Sequence, residues 1–447
     1  MSKTPGRLST RQTPPDPPGP YDRILGRPLG PLVELAELRN THPMVDSVVD
    51  EIDGRRIRIG DHWLTDFASC NYLGFDLDPE IIAAVPEYLA KWGTHPSWSR
   101  MIAYPRPFAE IEEELTELLG TEDSLTIPTI THIHISAIPA LAGEGSVFLD
   151  RRAHRTVYDG CAMAQARGAT LRQFEAENPS QLDELLRACP HHPRLVCIDG
   201  VNSMTGNASP LAELLTVTRA NDAILYVDDA HGFGVLGERS ADELSPYGSH
   251  GNSLVRHVGE TYDGLILVGG FSKAYSSLLA FIACPTSVKN YLKVTAAPYT
   301  FSGPSPVASL ATVQAGFRLN AARGDTIRAD LHRKTARVLD GLVQLGLRTL
   351  NRSGTPIIEV PIGTPEDTDA MGIHLFNRGI YVTMAPYPVV PRADVGVRIQ
   401  ITAANTDEEI THLLTVLAEI AAMFPGTQAE PSVPASRYEP AQQTTIG

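Results

Sequence analysis

Five cysteines in 447 residues (Cys70, Cys161, Cys189, Cys197 and Cys284) are too scattered for a disulfide framework, and none stand in CxxC spacing. Free thiols in a reducing cytoplasm are expected, and neither disulfide nor metal roles for the cysteines. Positive charge is also scarce. The 37 Lys and Arg residues face 52 Asp and Glu, a formal net charge of −15. That balance argues against a general nucleic-acid or anionic-membrane binder, while leaving room for a local basic pocket that takes a phosphate. No apolar run approaches the roughly 18 residues of a membrane span. The first residues lack the apolar core of a secretion signal, and no internal repeat is visible.

What remains is an ordinary globular composition, 43% apolar and 20% charged. The length suits one large domain and a smaller one. Residues 1–20, rich in Pro, Ser, Thr and Arg, read as a disordered arm, and 426–447 as a disordered tail. Between them lie an N-terminal segment (21–75), a large domain (76–300) and a smaller α+β domain (301–425). Helices are expected from Pro79 and over Phe108–Leu119, the latter stopped by Gly120. Short apolar runs at Ser146–Asp150, Leu195–Asp199, Ile224–Asp228 and Leu265–Val268 alternate with helical stretches. This is the α/β pattern of a mostly parallel sheet, whose ligands bind beyond the carboxyl ends of the strands. A long amphipathic stretch, Pro306–Leu345, leads into the second domain.

Two segments carry the chemistry. Val227-Asp228-Asp229-Ala230-His231-Gly232 closes one apolar strand, and Val268-Gly269-Gly270-Phe271-Ser272-Lys273-Ala274 closes another about forty residues later. A lysine flanked by small and apolar residues is readily desolvated, which lowers its pKa and frees the amine to form a Schiff base. A carboxylate at a strand end, a His three residues on and a distant Lys are the parts a pyridoxal phosphate (PLP) site needs.

Further motifs extend this pattern: Asn71-Tyr72-Leu73-Gly74, Ser99-Arg100, Asp199-Gly200-Val201, Ser203-Met204-Thr205-Gly206, Asp228 to Gly237, Phe271-Ser272-Lys273-Ala274, Thr300-Phe301-Ser302, Tyr387-Pro388-Val389-Val390-Pro391 and Val397-Arg398-Ile399. From about Phe67 to Leu417 the chain resembles the α-oxoamine synthases, within the fold-type I PLP enzymes of the aminotransferase class I/II superfamily. Members include glycine C-acetyltransferase, aminolevulinate synthase, amino-oxononanoate synthase and serine palmitoyltransferase. The resemblance implies a large domain built on a mostly parallel seven-stranded sheet, a smaller C-terminal α+β domain, and a homodimer with its site at the subunit interface.

It also implies roles. Lys273 would hold PLP and act as base and acid at the substrate Cα. Asp228 would pair with the pyridine nitrogen, His231 would hydrogen-bond the ring hydroxyl, and Ala230 would pack on one ring face. Ser203 would reach the ring oxygen, and His154 would stack on the other face and assist proton transfer. Arg398 would grip the amino-acid carboxylate, a task its planar guanidinium suits. Asn71, His132 and Trp98 are counted with the substrate-binding residues. The phosphate end departs from the family. Pro128-Thr129-Ile130-Thr131-His132-Ile133-His134 stands where the family commonly has Ser-Gly-Tyr, and Gly270 where it often has Thr. Thr129, Ile130 and Thr131 at a helix N-terminus, Ser272, and Ser302 from a neighbouring subunit are the expected anchors. His132 is the candidate to replace a missing aromatic. As a metal site the His132/His134 pair is set aside, because positions two apart on a helix do not share a face.

The expected reaction condenses an amino acid with an acyl thioester of CoA or a carrier protein, usually with decarboxylation, to an α-aminoketone. The alternative is another PLP reaction on an amino acid: aminotransfer, aldol cleavage or decarboxylation. Intact Lys273, Asp228 and His231 speak against a non-catalytic scaffold. His95 and Trp98, in a segment where the family is glycine-rich, either shape the substrate pocket or pack against the core. Arg151, Arg152 and Arg155 either meet the thioester's carrier or form a solvated surface.

Overall fold

The computed structural model describes residues 19–26 and 29–424. The expected arm, but for its last two residues, and the expected tail lie outside the described residues. After the helices Pro20–Leu25 and Val33–Thr41 comes an opening antiparallel ribbon: β1 (Glu51–Asp53), β2 (Arg56–Ile59) and β3 (His62–Asp66). Seven strands then form the main sheet: β4 (Asp123–Ile127), β5 (Ser146–Asp150), β6 (Thr170–Phe174), β7 (Arg194–Asp199), β8 (Ile224–Asp228), β9 (Leu265–Gly270) and β10 (Ala280–Cys284). Their spatial order is β4-β10-β9-β8-β7-β5-β6, and only β10 runs antiparallel to its neighbours. The last strands are β11 (Ile357–Pro361), β12 (Ile380–Tyr381), β13 (Thr383–Ala385) and β14 (Gly396–Gln400). Of these, β11-β14-β13 make a small antiparallel sheet, and β12 joins the opening ribbon beside β3.

The apolar runs of β5, β7, β8 and β9 are buried on both faces, as inner strands of a parallel sheet must be. Alternate residues go to opposite sides. Phe148, Val196, Ile198, Leu225, Val227 and Leu267 enter one core. Val147, Leu149, Leu195, Cys197, Tyr226 and Val268 enter another. Helices Ile130–Ala142 and Arg155–Ala166 cover the second face with Ile133, Ala137, Ile138, Val157 and Cys161. They pack closely: a Cβ on Gly160 would lie 2.5 Å from the His134 carbonyl oxygen, so only glycine fits there.

On the first face the core continues through the 39-residue helix Val307–Leu345 into Ile358, Val360, Val397 and Ile399 of the small sheet. Parallel pairing sets Asp199 beside Asp228, and Asp228 beside Val268. The acidic ends of β7 and β8 thus open at one edge of the sheet, next to the turn after β9. The small sheet supplies the facing wall.

Candidate active site

The site begins with Asp228, the last residue of β8. Its carboxylate is enclosed in protein, where Oδ2 lies 2.9 Å from His134 Nε2 and Oδ1 accepts from the Ala230 amide at 3.0 Å. Burial alone would push this carboxyl up, but His134 outweighs it and, with Lys273, holds the group down at about 2. A carboxylate can only accept, so His134 Nε2–H donates to it. Nδ1 of the same ring lies 3.0 Å from the Tyr226 hydroxyl. The next residue, Asp229, points away and caps the Leu254 amide at 3.0 Å; burial raises its carboxyl to about 8. Two adjacent aspartates therefore serve opposite ends, one ionised at the cavity and one structural.

His231 follows on the same loop, buried, with Nδ1 2.7 Å from the Tyr72 hydroxyl. Burial, reinforced by Lys273 and Arg398, holds its pKa well below the ordinary value, so the ring is neutral. Burial likewise keeps Tyr72 a phenol. When Tyr72 donates to Nδ1, the ring proton sits on Nε2, which becomes a donor for a ligand oxygen.

Lys273 sits in the turn after β9. Phe271 anchors that turn among Phe233, Tyr275, Phe281 and Phe317, and its amide donates to the Leu279 carbonyl at 2.8 Å. Burial lowers the Lys273 pKa, although Asp228 pulls the other way. A free amine, the nucleophilic form, is thereby brought closer to neutral pH.

A cavity of about 220 Å³ is lined by Thr129, Ile130, Thr131, His154, Asp199, Ser203, Asp228, Ala230, His231, Ser272 and Lys273. Its far end is the N-terminus of helix Ile130–Ala142. Thr129 caps that helix, its hydroxyl accepting from the His132 amide at 3.2 Å, and the first intrahelical bond is Ile133 N–H to Thr129 C=O. The amides of Ile130 and Thr131 precede that bond and face outward with the positive end of the helix dipole. Gly270 leaves room for Ile130 at this end, since a Cβ there would sit 2.6 Å from Ile130 Cδ1 and 3.0 Å from Cγ1 and would turn that side chain aside. The residues fit PLP: a carboxylate and a neutral imidazole for the ring's polar atoms, Ala230 for a face, hydroxyls and a helix N-terminus for the phosphate, and an amine for the aldehyde.

His154 stands at the rim as N-cap of helix Arg155–Ala166. Its amide donates to Asp199 Oδ1 at 2.9 Å, and its Nδ1 lies 2.8 Å from the Thr156 hydroxyl. Desolvation lowers its pKa against the pull of Asp228. Asp199 is buried and pushed well up, first by burial and then by Asp228. A larger cleft of about 970 Å³ continues from His154, Ser203, His231 and Lys273 to Arg398, Glu359 and the 387–391 segment, with Arg151, Arg152 and Arg155 on its margin. Arg398 Nη1 donates to the Ser203 carbonyl at 2.6 Å and reaches Met204 Sδ at 3.4 Å, while its Nε is buried without a partner.

Four expected residues lie outside the cavity. Asn71 donates to Asp76 Oδ2 at 3.0 Å, and the His132 ring turns to the Thr129 hydroxyl at 3.0 Å. Trp98 is 50% exposed. Ser302 lines a separate surface groove with Ile135, Ser136, Met163 and Phe301. His95 is exposed and lies outside the cleft, its Nε2 2.9 Å from the Pro304 carbonyl. The sequence reading missed His134 as the partner of Asp228, Tyr72 as the partner of His231, and Glu359. A lone polar residue on the apolar face of helix Ile130–Ala142 was the available signal for His134.

Residues 64–417 match the family model "Aminotransferase class I and II". The 8-amino-7-oxononanoate synthase of Stutzerimonas stutzeri is 32% identical over 375 residues, covering 83% of this chain and 91% of that protein. The serine palmitoyltransferase of Caulobacter vibrioides is 29% identical over 356 residues, covering 79% of this chain and 84% of that protein. Among solved structures, a lysine-to-alanine variant of serine palmitoyltransferase from S. paucimobilis with bound PLP–myriocin aldimine superposes with a TM-score of 0.79 at 26% identity, covering 89% of this chain and 100% of that one.

Proposed function

From the premise that the chain belongs to the aminotransferase class I and II family and, within it, to the α-oxoamine synthases, PLP-dependent transferases of fold type I, we propose that it condenses an amino acid with an acyl thioester. A C–C bond forms between the amino-acid Cα and the acyl carbonyl carbon, the C–S bond breaks, and the thiol leaves. Loss of the carboxylate as CO2 then gives an α-aminoketone. When bound, PLP supplies the electron sink for negative charge at Cα.

The chain's own residues do the rest. Asp228, kept ionised by His134, holds a positive charge at the pyridine nitrogen. Arg398, its guanidinium fixed on Ser203, offers Nε and Nη2 to the amino-acid carboxylate, and that grip orients the Cα–H bond. The Lys273 amine receives the Cα proton and returns it. Neutral His231 would donate to the ring oxygen, and His154 at the rim would lie against the ring. Thr129, Thr131 and Ser272 would hold the phosphate together with the amides of Ile130 and Thr131.

The observation that carries this reading is the sharing of one continuous cleft by Lys273 and Arg398, with room beyond them for a second substrate. On its margin Arg151 pairs with Glu175 and Arg155 with Asp159, while the Arg152 side chain has no ion pair among the described residues and is the cation free to meet an anionic carrier. Two subunits are proposed, in contact through the exposed Met101, Ile102, Val294 and Phe301, with Ser302 reaching the partner's phosphate end. A cytoplasmic location accords with five free cysteines. No described helix is long and apolar enough to cross a membrane.

Incubating the PLP-loaded protein with glycine, alanine or serine and acyl-CoA or acyl-carrier thioesters tests the proposal by thiol release. Release that requires both substrates is expected. The altered phosphate end at Thr129–His132 and Gly270 favours a second reading, a thioester-independent reaction such as aminotransfer. Amino-group transfer to a keto acid without thiol release would establish it in place of the first.

A further inference from the structure

Glu359 on β11 lies directly opposite Arg398 on β14, and Thr383 on β13 faces Arg398 from the other side. Directly opposed residues of an antiparallel sheet project from the same face, here into the cleft that also holds Lys273. Glu359 is 1% exposed, yet neither carboxyl oxygen has a hydrogen-bond partner. A buried polar group left unmade is costly and calls for a physical reason. Its cross-strand neighbour does not supply one. Arg398 forms no ion pair with Glu359; Nη1 turns to Ser203 and Met204, and Nε is itself buried and unpartnered. Of the other charges around Glu359, Arg348 is engaged with Asp394 at 3.4 Å, and Arg152 stands on the cleft margin. A buried acid and a half-buried cation stand opposed in register on the cleft wall, both with unused hydrogen-bonding capacity that one further group could satisfy together.

We propose that Glu359 is the second half of the carboxylate clamp, its protonated carboxyl donating a hydrogen bond to the substrate α-carboxylate that Arg398 grips. The ligand class is a monocarboxylate held between a guanidinium and a carboxylic acid. The surroundings favour the protonated form near neutrality. Burial first and Asp394 second raise this carboxyl to about 7, against Arg398, Arg152 and Arg348. A carboxylate arriving in contact raises it further, so binding above that value takes up a proton. The inference rests on Arg398 as the carboxylate site and not on acyl transfer.

Propionate is the probe, since it carries a carboxylate but neither an amine to react at the cofactor nor a thioester. Titration calorimetry on the PLP-loaded protein, in buffers of different ionisation enthalpy, reads affinity and proton uptake together. For the wild type, uptake approaching one proton per propionate is expected at pH 8, with affinity roughly tenfold weaker than at pH 6. Glu359→Gln, whose amide still donates, keeps the pH 6 affinity within about fivefold and loses both uptake and pH dependence. Glu359→Ala binds weakly at every pH. Three results overturn the proposal: no propionate binding by the wild type at pH 6, a pH-independent wild-type affinity, or the same uptake in wild type and Glu359→Gln. The first two need no variant to fold. Absent thiol release in the acyl-transfer assay leaves this outcome untouched, and the converse also holds.

Discussion

The two walls of the cleft are finished to different degrees. On the main-sheet wall Asp228 is matched by His134 and the Ala230 amide, His134 by Tyr226, and His231 by Tyr72. Asp199 Oδ2 there, and Asp229 Oδ1 behind it, have no partner. On the small-sheet wall Arg398 Nε and both oxygens of Glu359 are buried and unmatched. The first wall has its charge set in advance by the protein, which suits a resident group. The second leaves donors unspent, which suits a ligand that comes and goes. Preorganisation thus divides along the line between the sheets.

The largest blow to this division is expected from Lys273→Ala, which removes the cavity's amine; thiol release should fall by about 10³-fold or more. Retained turnover would take Lys273 out of the chemistry. Asp228→Asn should come next, losing about 10²–10³-fold while binding PLP more weakly, as absorbance during dialysis would show.

On the other wall the expected effect is on stability. The native Glu359 carboxyl titrates at about 7 against 4.5 for the unfolded chain. Between those values the folded protein holds a proton that the unfolded chain has released, so this residue costs stability as pH rises through that window. Glu359→Gln removes the effect. Unfolding free energies from urea titration should match wild type near pH 4.5 and exceed it above pH 7, by up to roughly 3 kcal/mol. A constant difference at all pH values would contradict the unmatched wall. The smallest effect is expected from His134→Gln, about tenfold in thiol release, with the acid limb of the pH profile moving up as Asp228 loses the partner that holds it down. No movement of that limb would mean that the main-sheet wall does not depend on its network.

The central strands were legible because inner parallel strands are uninterrupted apolar runs; β5, β7, β8 and β9 each announce themselves. The edge strand β6 was not, since Thr170, Arg172 and Gln173 give it no apolar pattern. Lys273 and Asp228 stand out because local sequence marks both as strand ends. His134 is one His among Ile residues, and only the helix–sheet packing sets it on Asp228. Glu359 lies 39 residues before Arg398, and nothing in either segment tells that they will be cross-strand neighbours. The reading of Gly270 as a lost hydroxyl also looked at one residue where the structure has two.

That pair works by side-chain volume. Ile130, half-buried at the cavity edge, fills the space that a side chain at position 270 would need. The atoms in the way are the end of its side chain, so a threonine at 270 is admitted when Ile130 swings aside. What stands at 270 thus sets which way Ile130 leans over the helix N-terminus.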